Sequence, residues 1–128
     1  MRVILNNAYA PTPYGIMGNE DVGQMSAWYI LSAMGFHPVC PGDQKYMLGS
    51  PLFDEIELKL DGHYYTGKTF KVIAHNNSDE NVYVQSVKLN GKPLERPYIL
   101  HQEITNGGIL EFEMGDATNK KLYSIVNN

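Results

Sequence analysis

Cysteine is almost missing from this sequence: Cys40 stands alone. A single thiol closes no internal disulfide and cannot by itself hold a zinc ion, so Cys40 is read as a small, partly buried apolar residue. Positive charge is in deficit. Ten Lys and Arg stand against 14 Asp and Glu, for a net charge of −4 and a pI near 5.5. No basic surface therefore points to nucleic acid or anionic lipid. Long apolar runs are missing too. No stretch approaches the ~18 residues of a membrane helix, so no membrane span is expected. The opening Met1-Arg2-Val3-Ile4-Leu5 is cut by Asn6 and Asn7, too short a run for the apolar core of a signal peptide. No internal repeat or low-complexity segment is visible. His37, His63, His75 and His101 show no metal-ligand spacing, and there is no dense Asp/Asn calcium loop.

What is present suits one ordinary globular domain. With 128 residues, 43% apolar and only 19% charged, the chain can bury roughly two-thirds of its unfolded surface and is no candidate for disorder. Residues 1–20 read as an irregular lead-in punctuated by Pro11, Pro13, Gly15 and Gly18. Residues 21–34 read as the one convincing helix. Met25, Ala27, Trp28, Tyr29, Ile30, Leu31, Ala33 and Met34 cover most of its circumference, which predicts burial on several sides. Asp21 with Gln24 three positions on suggests a capping box, and Gly35 with Pro38 supplies the stop.

The pattern then changes to short strands. These are Tyr46–Leu48, Asp54–Leu60, Thr69–His75, Val82–Leu89, Tyr98–Leu100 and Ile109–Met114, with Leu122–Val126 as a last strand or a frayed tail. Ile56, Leu58 and Leu60 are placed inward, and Phe70, Val72 and Ala74 share one face. Asp61-Gly62 and Asn90-Gly91-Lys92 mark turns. Turn signals about every 8 to 12 residues suggest an antiparallel sandwich. The expected class is α+β: one buried N-terminal helix followed by an antiparallel β-sandwich. The boundary falls near residues 40–45, giving segments 1–42 and 43–128.

Chemistry concentrates in Gly18-Asn19-Glu20-Asp21-Val22-Gly23-Gln24-Met25-Ser26-Ala27-Trp28-Tyr29. Two carboxylates, Glu20 and Asp21, stand beside a helix N-terminus, whose dipole and unpaired N–H groups favour the ionised form. An ionised carboxylate facing a cleft can act as a general base toward water. Asp21 can equally be a plain N-cap, and residue types alone favour that commoner role. Trp28 and Tyr29 read as packing more readily than as sugar-stacking rings, and Tyr64-Tyr65 as surface residues more readily than as a sugar platform. His37 reads as packing. Asn76-Asn77-Ser78 is a glycosylation sequon only in a eukaryotic secretory setting. Lys120-Lys121 is too short for a basic patch.

The same stretch resembles the last catalytic motif of glycoside hydrolase family 92, calcium-dependent exo-acting α-mannosidases. The likeness takes in Tyr14-Gly15-Ile16-Met17 before it. After it come Met34-Gly35-Phe36-His37-Pro38-Val39-Cys40-Pro41-Gly42 and Tyr46-Met47-Leu48-Gly49-Ser50-Pro51-Leu52-Phe53-Asp54. A weaker match continues through Leu89-Asn90-Gly91 and residues 107–115. The resemblance implies that the helix belongs to an (α/α)6 barrel and that the sandwich follows it. It implies Asp21 as the general base of an inverting glycosidase, with Asn19 or Glu20 helping to hold the water. The general acid is then a glutamate upstream. It also implies terminal mannose, most often α-1,2-linked, on glycans as substrate, and a periplasmic or extracellular location. The implied calcium would take its protein ligands upstream, and this chain alone is not expected to bind it.

A second reading, of another class, is a free-standing β-sandwich that binds carbohydrate or protein without catalysis. A helix that is apolar all round distinguishes the two. One sheet cannot cover it, so it is expected to keep an apolar face for the missing N-terminal part of the enzyme or, failing that, for a second copy in a homodimer. The isolated chain is predicted to be inactive, because an inverting enzyme without its acid loses a step worth roughly 10²–10⁴-fold. Turnover of an α-1,2-mannobiose by this chain alone, followed by mannose release, would overturn that expectation.

Overall fold

The computed structural model describes residues 1–123 of the chain. The chain opens with helix α1 (Arg2–Ala8), where the sequence suggested only irregular lead-in. Its seven residues carry one buried side chain, Leu5, too little periodicity to stand out. Arg2 holds α1 in place. Its guanidinium donates to Ser50 Oγ at 3.1 Å, to the Pro51 carbonyl and to Asn77 Oδ1. Asn77 Nδ2 in turn donates to the Leu52 carbonyl and to Asp54 Oδ1.

Helix α2 runs over Gln24–Ala33, three residues shorter at its start than the apolar pattern suggested. The expected Asp21–Gln24 capping box does not form, because residues 21–23 turn left-handed and Gly23 becomes the N-cap. The helix stops as expected at Gly35, whose φ of +91° suits a residue without Cβ. α2 packs on one side only. Ser32 and Ala33 are buried, Met25, Trp28, Tyr29 and Leu31 are half-buried, and Ile30 stays 57% exposed.

Two sheets follow. The smaller joins β1 (Phe36–His37), β2 (Lys45–Leu48) and β7 (Tyr98–Leu100) in that order, all antiparallel. β1 therefore ties the end of α2 directly into the sandwich. The larger sheet has the order β3 (Glu55–Lys59), β4 (Thr69–His75), β8 (Gly108–Gly115), β5 (Tyr83–Leu89) and β6 (Lys92–Pro93). Its pairings are antiparallel except β4 with β8, which run parallel because β8 slots between β4 and β5. The α+β class and the two packed sheets follow the sequence pattern. Helix α3 (His101–Thr105) and strands β1 and β6 are too short to leave a periodic signal.

The core lies between the sheets. Phe70, Val72 and Ala74 of β4 alternate inward against Leu110, Phe112 and Met114 of β8, with Val87, Ile99, Ile104, Phe36 and Met34 closing around them. On β5 simple alternation fails. A bulge between Val84 and Ser86 inserts Gln85, so Val84 and Val87 both face the core although three positions apart. The outer face is polar, with Lys71 between Glu55 (3.0 Å) and Glu57 (3.1 Å). Cys40 is exposed rather than partly buried, since it follows Pro38 and Val39 out of the sheet into a solvent turn. Leu122 and Tyr123 lie in a turn, and the rest of Leu122–Val126 falls outside the described residues.

Phe112 has no solvent contact and sits on the strand that both β4 and β5 need. Phe112→Ala is expected to cost about 3–5 kcal/mol, whereas the half-exposed Phe53→Ala should cost under ~1.5 kcal/mol. Urea midpoints at unchanged slope would check this; equal losses would place the core elsewhere.

Candidate active-site turn

The first amides of any α-helix lack partners within the helix. In α2 the preceding turn supplies them one after another. Gln24 N–H donates to the Asp21 carbonyl at 3.3 Å, Met25 N–H to the Glu20 carbonyl at 3.3 Å, and Ser26 N–H to Glu20 Oε1 at 3.2 Å. The first helical bond, Ala27 N–H to Gly23 O, follows at 2.9 Å. Glu20 thus does the work that a Ser or Asp at the N-cap normally does.

The backbone pays for this arrangement in strain. Asp21, Val22 and Gly23 are left-handed in succession, at φ +50°, +62° and +90°. A β-branched residue at positive φ is a genuine outlier, and Val22 is fully exposed there. Asp21 and Asn19 are both exposed, and neither side chain makes a hydrogen bond among the described residues. The sequence left Asp21 divided between cap and base; in the fold its side chain caps nothing. Glu20, its neighbour, is half-buried and turned toward the helix, with Oε2 buried and unpartnered among the described residues.

Sequence reasoning missed Tyr9, because nothing in residues 1–20 marked it as close to the turn. It stacks on Trp28 (5.8 Å between centroids, 11° between planes) and tilts against Tyr29 at 4.8 Å. Its hydroxyl donates to the Met25 carbonyl at 3.2 Å. Burial, and then the negative charge of Glu20, push its phenol above the usual tyrosine value. Trp28 also meets His37 edge-on at 6.1 Å. Beyond this aromatic cluster an apolar groove of about 490 Å³ opens between the Tyr9–Ile16 loop and α2. Ala10, Pro11, Tyr29 and Ile30 line it together with the two ends of that loop.

Other sequence candidates lie apart from the turn. His75 pairs with Glu111 at 3.3 Å on the outer face of the larger sheet. His101 bonds Tyr46 Oη at 3.2 Å and meets Tyr65 edge-on, while Tyr64 is exposed. Asn76 of the sequon is exposed and donates to Glu113. The described residues gather no group of three or more His, Cys, Asp or Glu that could hold a metal ion.

The description of the glycosyl hydrolase family 92 catalytic domain matches residues 1–116. An uncharacterized secreted glycosidase of Arthroderma benhamiae is 38% identical over 106 residues, which is 81% of this chain and 13% of that protein. A solved family GH92 inverting mannosidase of Bacteroides thetaiotaomicron is 40% identical over 97% of this chain, with a TM-score of 0.85. A GH92 α-mannosidase of the same organism, solved in complex with mannoimidazole, is 35% identical over 97% of this chain, with a TM-score of 0.88. The chain spans 16% of each of these two solved chains.

His37 gives the site a pH signature. Burial lowers its imidazole below the ordinary 6.5, and its Nδ1 is buried without a partner among the described residues. The unfolded chain therefore takes up the proton first as pH falls, so this stability is intact above about 6.5 and is lost as pH drops below it. Moving from about pH 7.5 to about pH 5 should lower the urea midpoint more in the wild type than in His37→Phe. Equal drops would show that His37 plays no part.

Proposed function

Because the chain belongs to glycosyl hydrolase family 92, we propose that it is the C-terminal portion of an inverting exo-α-mannosidase acting on terminal α-1,2-linked mannose of glycans. The lead-in and α2 of residues 1–42 belong to the helical barrel of that enzyme and residues 43–128 to its terminal sandwich, with β1 joining the two. A periplasmic or extracellular setting goes with the reading, in keeping with the relative called secreted.

Asp21 is the general base. One observation carries the assignment: every early amide of α2 is satisfied by Glu20 or by backbone, which leaves the Asp21 carboxylate exposed and unbonded on a strained turn. Left-handed conformations of this kind cost about 1–3 kcal/mol each at non-glycine residues and persist where the surroundings over-determine them, often at catalytic sites. The Asp21 carboxylate accepts a proton from water. The water oxygen attacks the anomeric carbon from the face opposite the leaving oxygen, which takes a proton from the upstream carboxylic acid. The sugar is released with inverted configuration. Asn19, two residues earlier on the same exposed turn, holds the water through its side-chain amide.

The distribution of apolar surface supports an incomplete catalytic unit. Ile30, 57% exposed, lines the apolar groove together with Ala10, Pro11 and Tyr29. This face is offered to the remainder of the barrel and, in its absence, to a second copy of the chain. The test supplies the N-terminal part of the enzyme in trans and measures mannose release. Asp21→Asn is expected to lower kcat about 10²–10⁴-fold with KM changed by less than about threefold. Undiminished turnover in that variant would remove Asp21 from the mechanism.

A further inference from the structure

We propose that Glu20 is a positioning residue, fastening the start of α2 and so fixing where the Asp21 carboxylate stands. The inference rests on the reading of Asp21 as the base. Glu20 holds the helix at two points: its carbonyl accepts from Met25 N–H and its Oε1 from Ser26 N–H. The left-handed run Asp21-Val22-Gly23 is strung between Glu20 and those two amides. Gly23, the N-cap, has no side chain with which to share the task. If the Glu20 carboxylate let go, the strained run would be free to relax toward ordinary backbone, and Asp21 would move with it.

The carboxylate is also badly placed to act on water itself. One oxygen is committed to a helix amide and the other is buried, whereas Asp21 and Asn19 on either side are exposed. Its Oε1 stands beside Gly23, at ordinary van der Waals distance from where a Cβ would be, and the nearby Tyr9 senses its charge. Acceptance of the Ser26 N–H needs an oxygen but no negative charge, so an amide side chain can replace it. The charge adds only the modest attraction between an anion and the positive end of a helix.

Two variants separate positioning from proton chemistry. In the 128-residue chain alone, Glu20→Ala should speed hydrogen exchange at the Ser26 amide about fivefold or more, and Glu20→Gln less than about twofold. In the enzyme completed in trans, Glu20→Ala should lower kcat about 10- to 100-fold with KM within about threefold and the acidic limb of the pH profile unmoved. Glu20→Gln should restore kcat to within about fivefold of wild type. The proposal is overturned if Glu20→Gln loses activity as completely as Asp21→Asn or shifts the acidic limb. It is equally overturned if Glu20→Ala leaves both the Ser26 exchange and kcat unchanged. A fully active Asp21→Asn would instead defeat the base assignment, while the Ser26 exchange would still report whether Glu20 fastens the helix.

Discussion

An α-helix must do something with the N–H groups at its start, and in this chain that requirement shapes the turn that carries Glu20 and Asp21. The four residues before α2 satisfy its first three amides from Glu20 and Asp21, and the N-cap position itself carries only a glycine. The solution costs backbone strain but leaves one carboxylate uncommitted. A Ser or Asp at the N-cap would have been cheaper in strain, but it would have spent an acceptor on the helix. The local chemistry and the local fold are therefore the same set of hydrogen bonds seen from two sides.

The rest of the molecule keeps that turn from drifting. The lower end of α2 is buried through Ser32, Ala33 and Met34 and runs into β1, so the helix is anchored to the sandwich core. At the loop beyond, Leu52 N–H returns to the Ala33 carbonyl at 2.8 Å and Gly49 N–H to the Gly35 carbonyl at 2.7 Å. Arg2 draws α1 onto the same loop and onto Asn77, between β4 and β5. Tyr9 follows α1 and completes the aromatic stack on Trp28. A two-sheet support thus holds one end of α2, while the Glu20–Gly23 turn sits at the other, less covered end.

Much of this was legible in the residues. Alternation in Thr69–His75 set Phe70, Val72 and Ala74 on one face, and that face is the buried one, because the period of a strand leaves a direct trace. The Gly35 stop was equally plain. What escaped depended on contacts distant in sequence or on backbone that no pattern records. The Val84–Ser86 bulge shifts phase by one residue, and α3 is held by Glu103 accepting from Leu100 N–H. The motif around Asp21 was visible as a motif, but residue types placed the cap on Asp21. Only the three-dimensional path of residues 20–26 assigns the cap to Glu20.

Trp28 is the only tryptophan in the chain. It sits half-buried on α2, between the Tyr9 ring and the edge of His37. Its indole therefore makes an intrinsic fluorophore at the border between the sandwich-anchored side of the helix and its open side. Emission from this one ring reports the polarity at that border without any attached dye. Drying the indole would move its emission to the blue, so the molecule carries its own optical gauge of how wet this stretch of α2 is.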